Sequence, residues 1–533
     1  MNVLRRTSLF LCLALATPAF AQDQEVFRFT LDQAIAKAVE SNLSVKIDEI
    51  NMLSSGHAVE SAIGAFDFIG TMTVEKQTQE QPVTSVIFSP TSKTDRYNFG
   101  LTQQLPTGAD YTLSFNNSKN DSSTPFSTFN PAHSSVLGLA LTQPLMRDFG
   151  VDTNTRSIRL ARNNLGISQE EFKRRMIETV LSTQQAFLDL VFAIEDLKVK
   201  QQSLDLATDQ ERITQIRIDV GAAAPLDILQ PKVDIATRDE DVIIAEASIA
   251  RAEDRLKQLT NIEVGNWNAR IEPVYEVQFR PVDVGLTIDE AVEKAFELRP
   301  DVAQAELRIK NAKVNYAWSR NQKLPAVGLR VNYGFAGVGG NQIIRDPDTG
   351  EAIAILPGGY DDAFEQTFGF DFPSWTVGVD VRVPLFNTTA KAEAKRAELE
   401  LERLNQQLDQ TKQVVAVEVR QAYRDIETGR RRIAASGAAR DSAAKNLDAE
   451  RKRFDNGMTT NFEILRAQRD LADAQSRELS AFVEYYKSIA TLNARVGDLL
   501  DEHNISLEMP EVGVSPYERW SSVNWLNFSR GEE

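Results

Sequence analysis

The sequence predicts an α+β membrane protein in which two tandem structural repeats each join strands to a long α-helical coiled-coil hairpin. Three observations predict it. The phrase TLDQAIAKAVESNL at 30–43 returns as TIDEAVEKAFELRP at 287–300. Segments of strict apolar/polar alternation follow each copy. Each half then runs into a helical stretch with no proline and very little glycine, about 155–219 and about 388–455.

Residues 1–21 combine a basic start (MNVLRR), the apolar run LFLCLALAT and a small-x-small site, AFA, before Gln22, which is the form of a cleaved signal peptide. The run is too short to span a bilayer. An amphipathic helix then begins at Thr30, with Leu31, Ala34, Ile35, Ala38 and Val39 on one face and the pattern continuing to Leu53. Its counterpart begins at Thr287 with Ile288, Ala291, Val292, Ala295 and Phe296, continuing to about Trp318. Thr30 with Gln33, and Thr287 with Glu290, have the spacing of a capping box.

Strands are expected next. Residues 66–77 set Phe66, Phe68, Met72 and Val74 against Asp67, Thr71, Thr73 and Glu75. Residues 326–335 set Val327, Leu329, Val331, Tyr333 and Phe335 against Gly328, Arg330, Asn332 and Gly334. Segments 137–145 and 375–386 alternate in the same way, and both reach a Pro-Leu pair, Pro144-Leu145 and Pro384-Leu385. A further hairpin is possible at 96–115 around Pro106-Thr107-Gly108, which makes four to six strands. Alternation of this kind fits a barrel with apolar residues toward lipid, and equally a half-buried soluble sheet. Residues 336–374, including GFAGVGG at 334–340 and DPDTGE at 346–351, are expected to form a long outer loop, with DPDTGE a plain turn.

Each long helix, roughly 100 Å at 1.5 Å per residue, ends at a glycine and restarts at about 226–262 or 461–499. The breaks align: DVGAAAPLDIL at 219–229 against DNGMTTNFEIL at 455–465. Gly221 matches Gly457 and Asp227 matches Glu463, so both breaks are expected to be hairpin tips. The expected division is a signal at 1–21, a first repeat at 22–262, a linker at 263–286 with a short extended piece, a second repeat at 287–500, and an acidic tail at 501–533.

Composition removes several functions. The formal charge is −17, and removing Arg5 and Arg6 gives −17 − 2 = −19, which opposes binding to nucleic acid by net attraction. Cys12 is the only cysteine, so after signal removal no disulfide, thiol nucleophile or thiolate metal site is expected. His57, His133 and His503 are dispersed, and GFAGVGG lacks the following Lys-Ser/Thr of a phosphate loop. No catalytic, cofactor or metal site is expected, and the protein is not expected to be an enzyme. No run of 18 apolar residues follows residue 21, so a membrane role would rest on strands. An open sheet edge cannot stay unpaired in hydrocarbon, and barrels need about eight strands or more. One chain cannot close such a barrel, whereas several can. The alanine-rich face of the second long helix (Ala434, Ala435, Ala438, Ala439, Ala443, Ala444) also suits packing against neighbouring helices.

The repeated T-[LI]-D-x-A-[IV]-x-K-A opening, the Pro-Leu strand ends and the G-x5-[DE]-I-L tips resemble those of the TolC family of outer-membrane efflux proteins, over about residues 30–500. That resemblance implies a homotrimer sharing one β-barrel in outer-membrane lipid, with a helical tunnel in the periplasm. It implies an exit duct for efflux or type I secretion, working with a periplasmic adaptor protein and an inner-membrane transporter. It places a periplasmic constriction at Glu463, with Asp227 as its first-repeat counterpart. The second acidic position of the family is Arg466 here, with Gln230 in the other half, which departs from two stacked acidic rings. The same carboxylates also stand early in helices, where they favour the helix dipole by roughly 0.3–1 kcal/mol. Adaptor contact is implied at Val220-Gly221-Ala222 and at Gly457-Met458, where Asn456 replaces the family's valine. The alternative is a periplasmic coiled-coil scaffold that transports nothing.

Overall fold

The computed structural model describes residues 26–80, 82, 91–124, 127–275 and 285–506. The signal segment 1–21, part of the linker (276–284) and the tail beyond 506 lie outside the described residues. The chain divides into two compact units, one of helices around the hairpin tips and one built on the large sheet.

The first unit contains β1 (Val26–Phe29) and α1 (Leu31–Ser41). Thr30 closes the expected capping box on α1: its Oγ1 accepts the Gln33 N–H at 3.3 Å, and Gln33 Oε1 accepts the Thr30 N–H at 3.0 Å. The predicted first helix is broken here into two, α1 and α2 (Leu43–Ile63), because Asn42 takes an extended ψ of 128°. Asn42 Nδ2 donates to Leu259 O at 3.0 Å, a buried contact that holds the bend in place.

The second unit carries the sheet: β2 (Ile69–Glu80), β3 (Thr91–Gln104), β4 (Asp110–Ser122) and β5 (Phe129–Pro144) come from the first half. After a one-turn α3 (Val151–Asn154), α4 runs unbroken over Arg156–Asp219, and α5 over Leu229–Leu259. One window of α4 is long and apolar enough to cross a membrane, but half of it is buried within the fold. Its Phe187, Leu190 and Val191 pack with Ala34, Leu256 and Ile271 in the core of the first unit, as expected of a core helix. The short extended piece of the linker is β6 (Arg270–Pro273), which pairs in parallel with β1.

The second half repeats the order. Thr287 and Glu290 cap α6 (Ile288–Leu298), and Arg299, again at ψ 128°, breaks the predicted helix before α7 (Pro300–Asn321). β7 (Ala326–Arg345) is ten residues longer than predicted and absorbs the glycine-rich stretch assigned to a loop. β8 (Ala352–Leu356), α8 (Tyr360–Phe368) and β9 (Pro373–Arg382) follow, so the predicted loop 336–374 is largely structured. Its Asp346–Gly350 segment is the plain turn expected, closed by Gly350 N–H donating to Asp346 O at 2.8 Å. α9 (Thr388–Asp455), α10 (Asn461–Val496) and a one-turn α11 (Leu499–Glu502) are the last of the described elements.

The sheet order is β2-β3-β4-β5-β7, with β9 and β8 sharing the far edge of β7: β9 pairs with 326–335 and β8 with 342–345. The 96–115 hairpin therefore adds two strands, and among the described residues the sheet has seven strands and is six wide, because β8 and β9 share one edge. Its register places Met72, Phe99, Phe115, Leu137 and Phe335 in one row across five strands. The next row toward the helices is Gly70, Leu101, Leu113, Leu139, Tyr333 and Trp375. These rows lie on one face, where Met72, Val74, Phe99, Leu139, Val377, Val379 and Val381 are exposed. The opposite face holds Thr71, Thr73, Glu75, Arg96, Asn98, Thr112, Asn116, Arg330, Asn332 and Asp380. It is laced by pairs such as Arg96–Glu75 at 3.2 Å and Arg330–Asp380. An extended exposed apolar face is not what a soluble sheet presents to water. It is what a barrel wall presents to lipid.

Candidate functional site: the two hairpin tips

Both tips are closed by the same backbone device. In the first, Ala222 N–H donates to Arg217 O (2.7 Å) and Gly221 N–H to Ile218 O (3.0 Å). In the second, Met458 N–H donates to Arg453 O (2.8 Å) and Gly457 N–H to Phe454 O (3.0 Å). These are paired Schellman closures, satisfying helix-end carbonyls that would otherwise be orphaned. The closing residue must be left-handed, and Gly221 (φ 71°) and Gly457 (φ 70°) adopt that conformation without Cβ strain. Val220 and Met458 project into solvent at 72% and 71% exposure, and Gly221, Ala222 and Gly457 are exposed beside them.

The bends are held side by side. The Arg217 guanidinium lies 3.7 Å over the Phe454 ring and donates to Phe454 O at 3.1 Å. Gln210 Nε2 donates to Asn461 Oδ1 (2.7 Å), fixing the first residue of α10 against α4. Farther from the tips, Ser476–Asp196, Lys487–Asp189 and Gln185–Thr491 continue the contact, so α4 and α10 run antiparallel in one register.

The predicted constriction residues divide. Asp227 sits in a short 3-10 turn (Pro225–Ile228), and its carboxylate accepts the Ala224 N–H at 3.0 Å. It is therefore engaged in capping its own loop. Glu463 stands in the first turn of α10 and is half-buried, with Ile464 and Leu465 packed inward behind it. Arg466, one turn on, is exposed, as is Gln230.

Sequence reasoning missed a buried charge cluster behind these tips. Asp234 and Arg238 of α5 are 1% and 4% exposed and lie 2.6 Å apart as an i,i+4 pair. Asp234 also pairs with Arg469 of α10. Arg238 donates to Ser203 O on α4 at 2.6 Å and to Leu465 O on α10 at 3.1 Å. Burial draws the Arg238 guanidinium below its ordinary pKa, and Asp234 opposes that shift, so the cation stays charged. The Asp234–Arg238 pair thus ties three helices together. The spacing of Asp234 and Arg238 was a visible signal, but a solvent-exposed i,i+4 pair looks the same in sequence.

Long paired helices, a sheet with one apolar face and tips that close alike in two repeats define an outer-membrane channel protein. The family model described as "Outer membrane efflux protein" matches residues 94–261 and 291–498, and the chain belongs to that family. It is 22% identical to outer membrane protein TolC of Vibrio cholerae over 326 residues, 61% of this chain and 68% of that protein. It is 22% identical to TolC of Escherichia coli over 411 residues, 76% and 77% of the two chains. The outer membrane channel CmeC of Campylobacter jejuni shares the fold at a TM-score of 0.62 and 15% identity, with 90% of each chain covered. The protein is an exit duct of the outer membrane for efflux or secretion.

Proposed function

We propose that three copies of this chain close one barrel and one periplasmic tunnel, and that the tips at its inner end meet a periplasmic adaptor serving an inner-membrane transporter. The observation that carries this reading is the sheet. It is six strands wide, apolar on one face and polar on the other, with β2 and β9 each left with one unpaired edge among the described residues. In hydrocarbon those edges must pair, and only other copies of the same chain present matching ones. Three sheets of six strands make an eighteen-stranded barrel, within the size range that encloses an aqueous channel. The polar face with Arg96, Glu75, Arg330 and Asp380 then lines the lumen.

At the hairpin tips, Glu463 with Arg466 narrows the entrance, while Asp227 and Gln230 play the lesser part because Asp227 is held by its loop. Val220, Gly221, Ala222, Gly457 and Met458 form the adaptor-contact surface. The division into a signal at 1–21, repeats at 22–262 and 287–500, a linker between them and a tail from 501 belongs to the same proposal. The test is the mass of the detergent-extracted protein by light scattering, corrected for bound detergent. About three chains per particle is the expected result, and a stable single chain would overturn it.

A further inference from the structure

α8 lies on the apolar face of the sheet. The Phe364 and Phe368 rings stand 5.7 and 5.6 Å from the ring of Phe115, and Tyr360 packs edge-on to His133 at 4.3 Å. Phe115 and His133 both belong to the apolar-face rows of the register. Thr367 donates to Ser135 O at 3.1 Å, and Ala363 and Thr367 are fully buried beneath the helix. The glycines once read as a loop explain this seat. A Cβ at Gly337 would collide with Ala363 O, and one at Gly339 with Gly359 O, so the helix backbone rests directly on the strand.

Its height is also defined. All the long connecting helices join the sheet at one end, next to residues 69, 144, 326 and 382. From that end β7 and β9 pair for ten residues, 326–335 with 373–382, which is the length a tilted strand needs to cross the hydrocarbon core. α8 sits just past that window, at the end remote from the helices. Beside it a run of aromatic side chains is exposed: Phe368 (54%), Phe370, Phe372 and Trp375 (72%), with Tyr333 and Tyr97 on the neighbouring strands. Asp361, Asp362 and Glu365 are exposed on the same helix. The inner side of α8 is taken up by the sheet, so Phe368 with Phe370, Phe372 and Trp375 forms an exposed aromatic belt at the edge of the ten-residue window, where aromatic side chains gather at a membrane interface.

We propose that α8 and the 368–372 segment lie outside the barrel wall as an interfacial anchor, with Phe368, Phe370 and Phe372 embedded in the outer leaflet and its partner the lipid itself. The inference rests on the barrel reading above. The 357–372 connection is then not a lid over the pore. It grips the bilayer from outside and fixes how far the barrel sits in the membrane.

The test uses full-length protein reconstituted in phosphatidylcholine vesicles, in a Cys12→Ser background. Phe368→Cys, Val379→Cys and Thr376→Cys each carry a bimane label. Emission is quenched either by phosphatidylcholine spin-labelled near the headgroup or by iodide in the water. The expected result is strong quenching of the Phe368 site by the lipid quencher, about twofold or more, and little by iodide, as for a group buried at the interface. If the Val379 site responds to lipid while the Phe368 site responds only to iodide, or to neither quencher, the anchor is wrong and the barrel stands. If the Val379 site does not respond to lipid either, the barrel reading itself fails. Glu365→Cys, on the exposed side of the same helix, serves if Phe368→Cys does not assemble. Quenching by both agents supports an interfacial helix there, and quenching by iodide alone opposes it.

Discussion

The two hairpin tips share a backbone and differ in chemistry. Each ends a long helix with the same pair of hydrogen bonds around a left-handed glycine. The first then spends its acid, Asp227, on its own loop and buries a second acid, Asp234, among two arginines. The second keeps Glu463 in its first helical turn, and Asp470, the counterpart of Asp234, remains exposed. Duplication preserved the turn because the turn depends on local backbone geometry. The charges differ: in the first half a buried acid fastens helices together, and in the second the corresponding acid, Asp470, stays exposed.

Asp234→Ala should produce the largest difference between the halves. It strands Arg238, and removing one partner of a buried pair costs about 3–5 kcal/mol. Asp470→Ala, at an exposed position, should stay within about 0.5 kcal/mol. Thermal unfolding of the detergent-solubilised protein should therefore separate the two variants clearly, and equal midpoints would remove the fastening role. Next in size, and equal in both halves, are Gly221→Ala and Gly457→Ala. A left-handed alanine costs about 1–2 kcal/mol, so each variant should become similarly more sensitive to limited proteolysis at its own tip. A large effect at one tip and none at the other would break the equivalence of the turns.

What was legible in the sequence follows the same division. The capping boxes at Thr30 and Thr287, the glycine tips and the ends of α4 and α9 depend on neighbours within a few residues and were read correctly. The 96–115 hairpin was visible through its Pro106-Thr107-Gly108 turn and proves to carry two full strands. The bends at Asn42 and Arg299 were missed because the apolar period runs through them, and in the first it is a distant carbonyl, Leu259 O, that fixes the break. β7 was cut short at Phe335 because Gly337, Gly339 and Gly340 look like loop residues. In the fold, the first two make room for α8. The Asp234–Arg238–Arg469 cluster was not legible at all, since burial there depends on three helices that meet only in the folded unit. For the site residues, sequence supplied the positions of Asp227 and Glu463 as a pair, and the hydrogen bond from Ala224 distinguishes them.

The most direct test of this division of roles is single-channel conductance in planar bilayers, comparing the unmodified protein with Glu463→Ala and Asp227→Ala. Discrete conductance steps are expected, with a clear rise for Glu463→Ala and a value near the unmodified one for Asp227→Ala. Equal responses from the two variants, or no change in conductance and ion selectivity for Glu463→Ala, would contradict that division.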